Sequence, residues 1–178
     1  MSENLTRHTL SVLVDNEAGV LSQVSRLFTR KGYNIESLAV GTTDEPDVSR
    51  ITIEVMADDG QALQLCNQLR KLFPVHSVKE LTPSHSIRRE LVLIKVSADE
   101  SVRSDVLEIV RLFRVRVVDV NPESLTIEAT GAEGKIDALL GLLEHYGIIE
   151  LVRSGAVAVT RGPKALSEKV LGSEITGR

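Results

Sequence analysis

A chain of 178 residues suits one large domain or two small ones, and an apolar share of 42% supports a core without metal or disulfide staples. Aromatics make up 3% with no Trp, so the core must be built from Leu, Val and Ile, and the one cysteine, Cys66, can form no internal disulfide. A net charge of −4 offers no general attraction to nucleic acid, no apolar run is long enough for a membrane span, and Met1-Ser2-Glu3-Asn4 lacks an apolar signal region; a soluble cytoplasmic protein follows.

Leu10, Val12 and Val14 alternate as a half-buried strand requires, predicting a strand over 7–14. Val20, Leu21, Val24, Leu27 and Phe28 then mark one face of a helix over 19–30. A strand over 34–41 leads through the turn Thr43-Asp44-Glu45-Pro46-Asp47 to a strand over 49–55, where Ile51, Ile53 and Val55 alternate with Arg50, Thr52 and Glu54. A helix over 61–73 carries Ala62, Leu65, Cys66, Leu69, Leu72 and Phe73 on its apolar face, making Cys66 a packed thiol rather than a nucleophile. A strand over 75–81 completes a βαββαβ unit, a ferredoxin-like sheet with both helices on one face and the other face uncovered.

Thr82-Pro83-Ser84-His85-Ser86 carries breaker residues, predicting a linker over 83–88. The same element order then repeats. A strand over 91–96 is apolar on both faces, and Val102, Val106, Ile109, Val110 and Phe113 mark a helix. Val115, Val117 and Val118 form a strand joined by the turn Asn121-Pro122-Glu123-Ser124 to another over 125–129. A helix over 135–146 stops at Gly147, and strands over 148–152 and 156–159 close the unit. The chain therefore reads as α+β, two ferredoxin-like βαββαβ domains in tandem over 7–82 and 89–162, with a mobile tail over 163–178 holding at most one helical turn.

The turn Asp15-Asn16-Glu17-Ala18-Gly19 lies between the first strand and the first helix. The opening amides of a helix lack intrahelical partners and carry partial positive charge, which suits a carboxylate. Gly19 has no Cβ to obstruct close approach, and the Asn16 amide can both accept from an ammonium and donate. A free amino acid presents both groups, although loop shaping and helix capping account for the same spacing.

The segment VDNEAGVLSQVSRLFTRKGYNIESLAVG, residues 14–41, resembles the opening of the small, regulatory subunit of acetolactate synthase (acetohydroxyacid synthase). The resemblance continues through REL-LIKV at 89–96, the DV-P-S segment at 119–124 and RSGAVAVTRG at 153–162, and so covers nearly the whole chain. It implies that the first unit is an ACT domain that dimerises side by side. It places an amino acid between Asn16, Ala18, Gly19, Val20 and Leu21 of one subunit and Asn34 and Ile35 of its neighbour. It further implies that the chain activates a large catalytic subunit and makes it sensitive to valine or another branched-chain amino acid. In that family thiamine diphosphate, Mg and FAD belong to the catalytic subunit, so no cofactor is expected on this chain. A free-standing tandem ACT sensor, acting on another enzyme or on transcription, is the competing reading.

Other chemistry finds little support. His8, His76, His85 and His145 are scattered without metal-ligand spacing, and neither a G-x-S-x-G elbow nor a Walker-type loop occurs. RNA-recognition domains share the βαββαβ order but stack bases on aromatics of their central strands, and residues 50–55 contain none. Arg88, Arg89, Arg111, Arg114 and Arg116 form the only basic concentration, either a solvated edge or a docking patch for an acidic partner.

Overall fold

The computed structural model describes residues 5–163, 165 and 166. In the first unit β1 (Thr6–Asp15), α1 (Val20–Lys31), β2 (Ile35–Thr42), β3 (Val48–Ala57), α2 (Asp59–Leu69) and β4 (Val75–Glu80) follow one another. The strands form one antiparallel sheet in the order β2-β3-β1-β4. The register pairs Leu10 with Ile53 and Val12 with Ile51. These side chains meet Val24, Leu27 and Phe28 of α1 and Leu65 and Leu69 of α2 in a single core. Fully burying one such side chain stabilises the fold by roughly 1.5–3 kcal/mol.

The helix boundaries follow from local chemistry. At the end of α1, Gly32 adopts a left-handed conformation (φ 74°), and the next amide, Tyr33 N–H, returns to Phe28 O at 3.0 Å. That reversal aims the chain into β2. A capping box of Asp58 and Gln61 opens α2. The predicted extension of α2 to residue 73 is not observed: the helix ends at Leu69, and Phe73 is 99% exposed. Pro74 takes Phe73 out of helical geometry, and before it the chain has already tightened into i→i−3 turns, Lys71 N–H donating to Gln68 O and Leu72 N–H to Leu69 O. Cys66 does pack into the core, and burial pushes its thiol up from the usual range.

The face of this sheet away from the helices is also not the open surface predicted. Thr9, Ser11, Leu13, Thr52 and Glu54, which alternate with the core residues, are all buried. His8, buried nearby, binds Glu80 through Nδ1 at 2.6 Å and donates from Nε2 to Ala57 O at 3.1 Å, tying β1 to β4 and to the end of β3.

In the second unit β5 (Ser86–Ser97), α3 (Arg103–Phe113), β6 (Arg116–Asn121), β7 (Ser124–Gly131), α4 (Glu133–Leu143) and β8 (Ile148–Arg153) repeat the plan. The strand order β6-β7-β5-β8 matches the first sheet, and even the bulges recur, near the start of β6 against β7 and near the end of β5 against β8. Val92, Ile94, Val96, Leu125 and Ile127 pack against α3 and α4. The architecture is thus the predicted tandem α+β arrangement. Here Leu91, Leu93 and Val152 leave the outer sheet face partly exposed.

Two boundaries differ from the sequence reading. Pro83–His85 forms a 3₁₀ turn and β5 starts at Ser86, so little of the predicted linker is unstructured. β9 (Val157–Thr160) pairs with β5, and Arg161 N–H donates to His85 O at 2.8 Å. One compact unit therefore holds the described residues up to Ile87 and from Ala158 onward, while the other spans Arg88–Val157. Leu166 is buried and its carbonyl accepts from Ser77 Oγ at 3.3 Å; the remaining tail expectation, for 164 and 167–178, lies outside the described residues. Two members of the basic concentration are engaged by carboxylates, Arg88 by Glu133 and Arg116 by Glu128.

Candidate functional site

The turn after β1 is fixed on two sides. Asp15 N–H donates to Pro74 O at 2.9 Å, and His76 Nε2 lies 2.6 Å from Asp15 Oδ1. Asn16 N–H donates to Asp47 O at 2.8 Å, fastening the turn to the β2–β3 connection. Gly19 then caps α1 in a left-handed conformation (φ 88°) that favours glycine, and a Cβ built there would meet nothing within 4 Å.

The start of α1 is open. No side chain caps it, and its first turn holds no acidic residue, whereas α2, α3 and α4 carry Asp59, Asp105 and Glu133 there. Val20 N–H makes a long 3.4 Å bond to Glu17 O, and among the described residues the Leu21 and Ser22 amides meet no acceptor. Unpaired amides and the helix dipole together favour an anion at this end. Ala18 is exposed, and Leu21, 41% exposed, offers apolar surface beside the amides. Val20 is different: its side chain is buried in the core, so only its backbone faces the opening.

The Asn16 side chain is already partnered. Nδ2 donates to Pro46 O at 3.0 Å, and Oδ1 accepts from Ser49 Oγ at 3.0 Å. Each atom retains one further hydrogen-bonding position. The sequence marks Pro46 and Asp47 only as turn residues, and none of Pro46, Asp47 and Ser49 as part of a site. Two of them act through backbone carbonyls, which no residue pattern reveals, and Ser49 reads as an ordinary strand residue.

Asn34 and Ile35 lie elsewhere in the chain. Ile35 pairs with Val55 of β3, whereas Asp15 pairs with Val48 at the strand's other end. The intervening rise is roughly 23 Å at strand geometry. Asn34 is exposed and its Nδ2 donates to Glu36 Oε1 at 2.8 Å, while Ile35 packs partly against the core. A single chain therefore does not bring the two predicted halves of the site together.

The corresponding turn of the second unit holds an anion of its own. Asp99 Oδ1 accepts from Ser101 Oγ and, at 2.9 Å, from Ser101 N–H; these bonds hold its carboxyl below the usual range. The Arg103 guanidinium ties this turn to the β6–β7 connection, donating to Ala98 O at 2.9 Å and Asn121 O at 2.8 Å. A hollow of about 920 Å³ opens beside it, walled by Asp99, Asp105, Asp119 and Glu123. Its one lysine, Lys95, is paired with Glu150 at 2.8 Å. That wall repels a carboxylate, so of the two turns the first unit's is the more favourable to an anion.

No described helix is long and apolar enough to cross a membrane, and among the described residues no three His, Cys, Asp or Glu side chains gather to hold a metal ion. The family described as "AHAS small subunit-like ACT domain" matches residues 10–77, and "Small subunit of acetolactate synthase" matches residues 89–162. The acetolactate synthase small subunit of Mycolicibacterium smegmatis is 52% identical over 93% of this chain and 98% of its own length. A probable acetolactate synthase small subunit of Archaeoglobus fulgidus is 49% identical over 89% and 99%. The crystal structure of the acetolactate synthase small subunit from Thermotoga maritima superposes with a TM-score of 0.83 at 37% identity, covering 89% of this chain and 99% of that one.

Proposed function

The chain belongs to the family of acetolactate synthase small subunits, and on that premise we propose that it confers valine-sensitive feedback control on the large catalytic subunit and activates it. Family membership makes it a regulatory subunit in branched-chain amino-acid synthesis, with the catalytic subunit as its partner. Matches in both halves favour this reading over a free-standing sensor. Thiamine diphosphate, Mg and FAD serve the chemistry on the large subunit in the cytoplasm, and this chain contributes control.

The observation that carries the reading is the open start of α1, with free amides at Leu21 and Ser22, no first-turn carboxylate and a glycine cap. The effector carboxylate binds these amides, its ammonium lies against the Asn16 carbonyl, and its branched side chain rests on Leu21. Asn34 and Ile35 of a second copy complete the site across a homodimer interface. The roughly 23 Å between the two halves within one chain supports a site shared between copies.

Such an effector acts by binding one dimer arrangement more tightly than another. A coupling of about 1–3 kcal/mol is typical. Pocket fit alone separates effectors differing by one methylene by only about 1–3 kcal/mol. Calorimetry with valine, leucine and isoleucine, paired with activity of the reconstituted complex, tests the proposal. Binding of valine with matching inhibition supports it; activation without any binding of the three amino acids overturns it.

A further inference from the structure

Asn16 can serve a ligand only if its amide points one way, and the surrounding atoms dictate that direction. Pro46 O is a carbonyl and can only accept, so the Asn16 nitrogen must face it at 3.0 Å. The oxygen is then turned toward Ser49, whose hydroxyl donates to it at 3.0 Å. Ser49 is 5% exposed at the start of β3, paired with Val14 of β1 and Thr42 of β2, whereas Asn16 itself is exposed. Without the hydroxyl, the Asn16 oxygen would lose its sole protein donor among the described residues, and water would compete for the amide orientation.

We propose that Ser49 is a positioning residue of the effector site: its hydroxyl holds the Asn16 carbonyl oxygen toward the ligand ammonium and joins the effector turn to the β2–β3 connection. The inference rests on the amino-acid site proposed above and adds a residue outside it. Ser49 touches no ligand. It leaves one lone pair of Asn16 Oδ1 and one Nδ2 hydrogen for the effector. Together with the bond from Asn16 N–H to Asp47 O at 2.8 Å, it makes the turn and the hairpin connection one body. A ligand on the turn is therefore felt at Asp47 and Val48.

The test compares the full chain with Ser49→Ala and Ser49→Thr by calorimetry with valine, by thermal unfolding without ligand, and by amide NMR shifts of Asp47 and Val48. Ser49→Ala should weaken valine binding about three- to tenfold, the effect of one neutral hydrogen bond, while the melting temperature of the ligand-free chain changes little. Ser49→Thr, which keeps the hydroxyl on a strand-compatible residue, should restore affinity to within about twofold of the original. Valine should shift the Asp47 and Val48 amides in the original chain and less in Ser49→Ala. Unchanged affinity in Ser49→Ala, or equal weakening in Ser49→Ala and Ser49→Thr, overturns the role. Failure of the original chain to bind valine instead overturns the amino-acid site itself, and Ser49's role falls with it.

Discussion

Replacing Gly19 with Asp tests the charge logic of the effector site. The glycine caps α1 at φ 88°, and space around a new Cβ is open, so the fold suffers backbone strain but no clash. A left-handed conformation costs a residue with a side chain roughly 1–2 kcal/mol, least for Asp and Asn. Gly19→Asn carries the same backbone and steric burden without charge and is the natural control. Taking a separation of about 5 Å between the added carboxylate and a ligand carboxylate on the Leu21 and Ser22 amides fixes the order of magnitude. Repulsion at that range is about 1–3 kcal/mol between solvent-like and surface-like dielectrics. Beyond whatever Gly19→Asn does, Gly19→Asp should therefore raise the valine concentration for half inhibition about five- to 160-fold. Added salt should narrow the gap by screening. The assay is catalytic-subunit activity against valine in the reconstituted complex, with thermal unfolding of each variant alongside. Both variants should still activate the catalytic subunit, because the core is untouched. Equal inhibition curves for Gly19→Asn and Gly19→Asp would refute a carboxylate at this helix start.

Other outcomes follow from the same structure. Phe73→Ser should change stability by less than about 0.5 kcal/mol because Phe73 is 99% exposed. Leu69→Ala, at a position with 0% exposure, should cost about 2–5 kcal/mol, and urea unfolding of the two variants checks both. Burial raises the Cys66 thiol, so the folded chain holds it neutral where the unfolded chain has begun to ionise. Stability should consequently fall as pH rises through the thiol's unfolded value, and alkylation of the native protein at pH 8 should be slow until denaturant opens the core. Asn34→Ala should weaken valine binding about ten- to a hundredfold, the loss of a bond to a charged group, with little change in melting temperature; lower stability with intact affinity would return Asn34 to a turn role.

Much of the fold was legible because its signals are local. The alternation of Leu10, Val12 and Val14 and the recurrence of Val24, Leu27 and Phe28 specify which faces meet, and the structure joins them in one core. Apolar periodicity continues past the end of α2 through Leu72 and Phe73, but Pro74 bars Phe73 from the helix and the residues before it tighten into turns that periodicity does not reveal. The start of β5 was missed because Pro83 and the charged Arg88-Arg89 pair resemble a linker, and only pairing with the distant β9 reveals the strand. At the site, glycine and asparagine marked the turn. The partners that orient Asn16 stayed hidden, since the carbonyls of Pro46 and Asp47 belong to the backbone and Ser49 is thirty-three residues away in sequence.

Complementation between variants tests whether the proposed site is divided between two copies of the chain. In the proposed homodimer, Asn16→Ala and Asn34→Ala should each damage both sites of their own dimer. A mixed dimer brings the intact Asn16 of one chain to the intact Asn34 of the other and so restores one site while doubly damaging its twin. Random mixing makes about half the dimers mixed, so about a quarter of all sites should regain the original valine affinity. Calorimetry on the two variants, alone and after mixing under exchange conditions, should show this high-affinity fraction only in the mixture. Weak binding in both variants with no recovery on mixing would place Asn16 and Asn34 in separate roles and contradict the shared site.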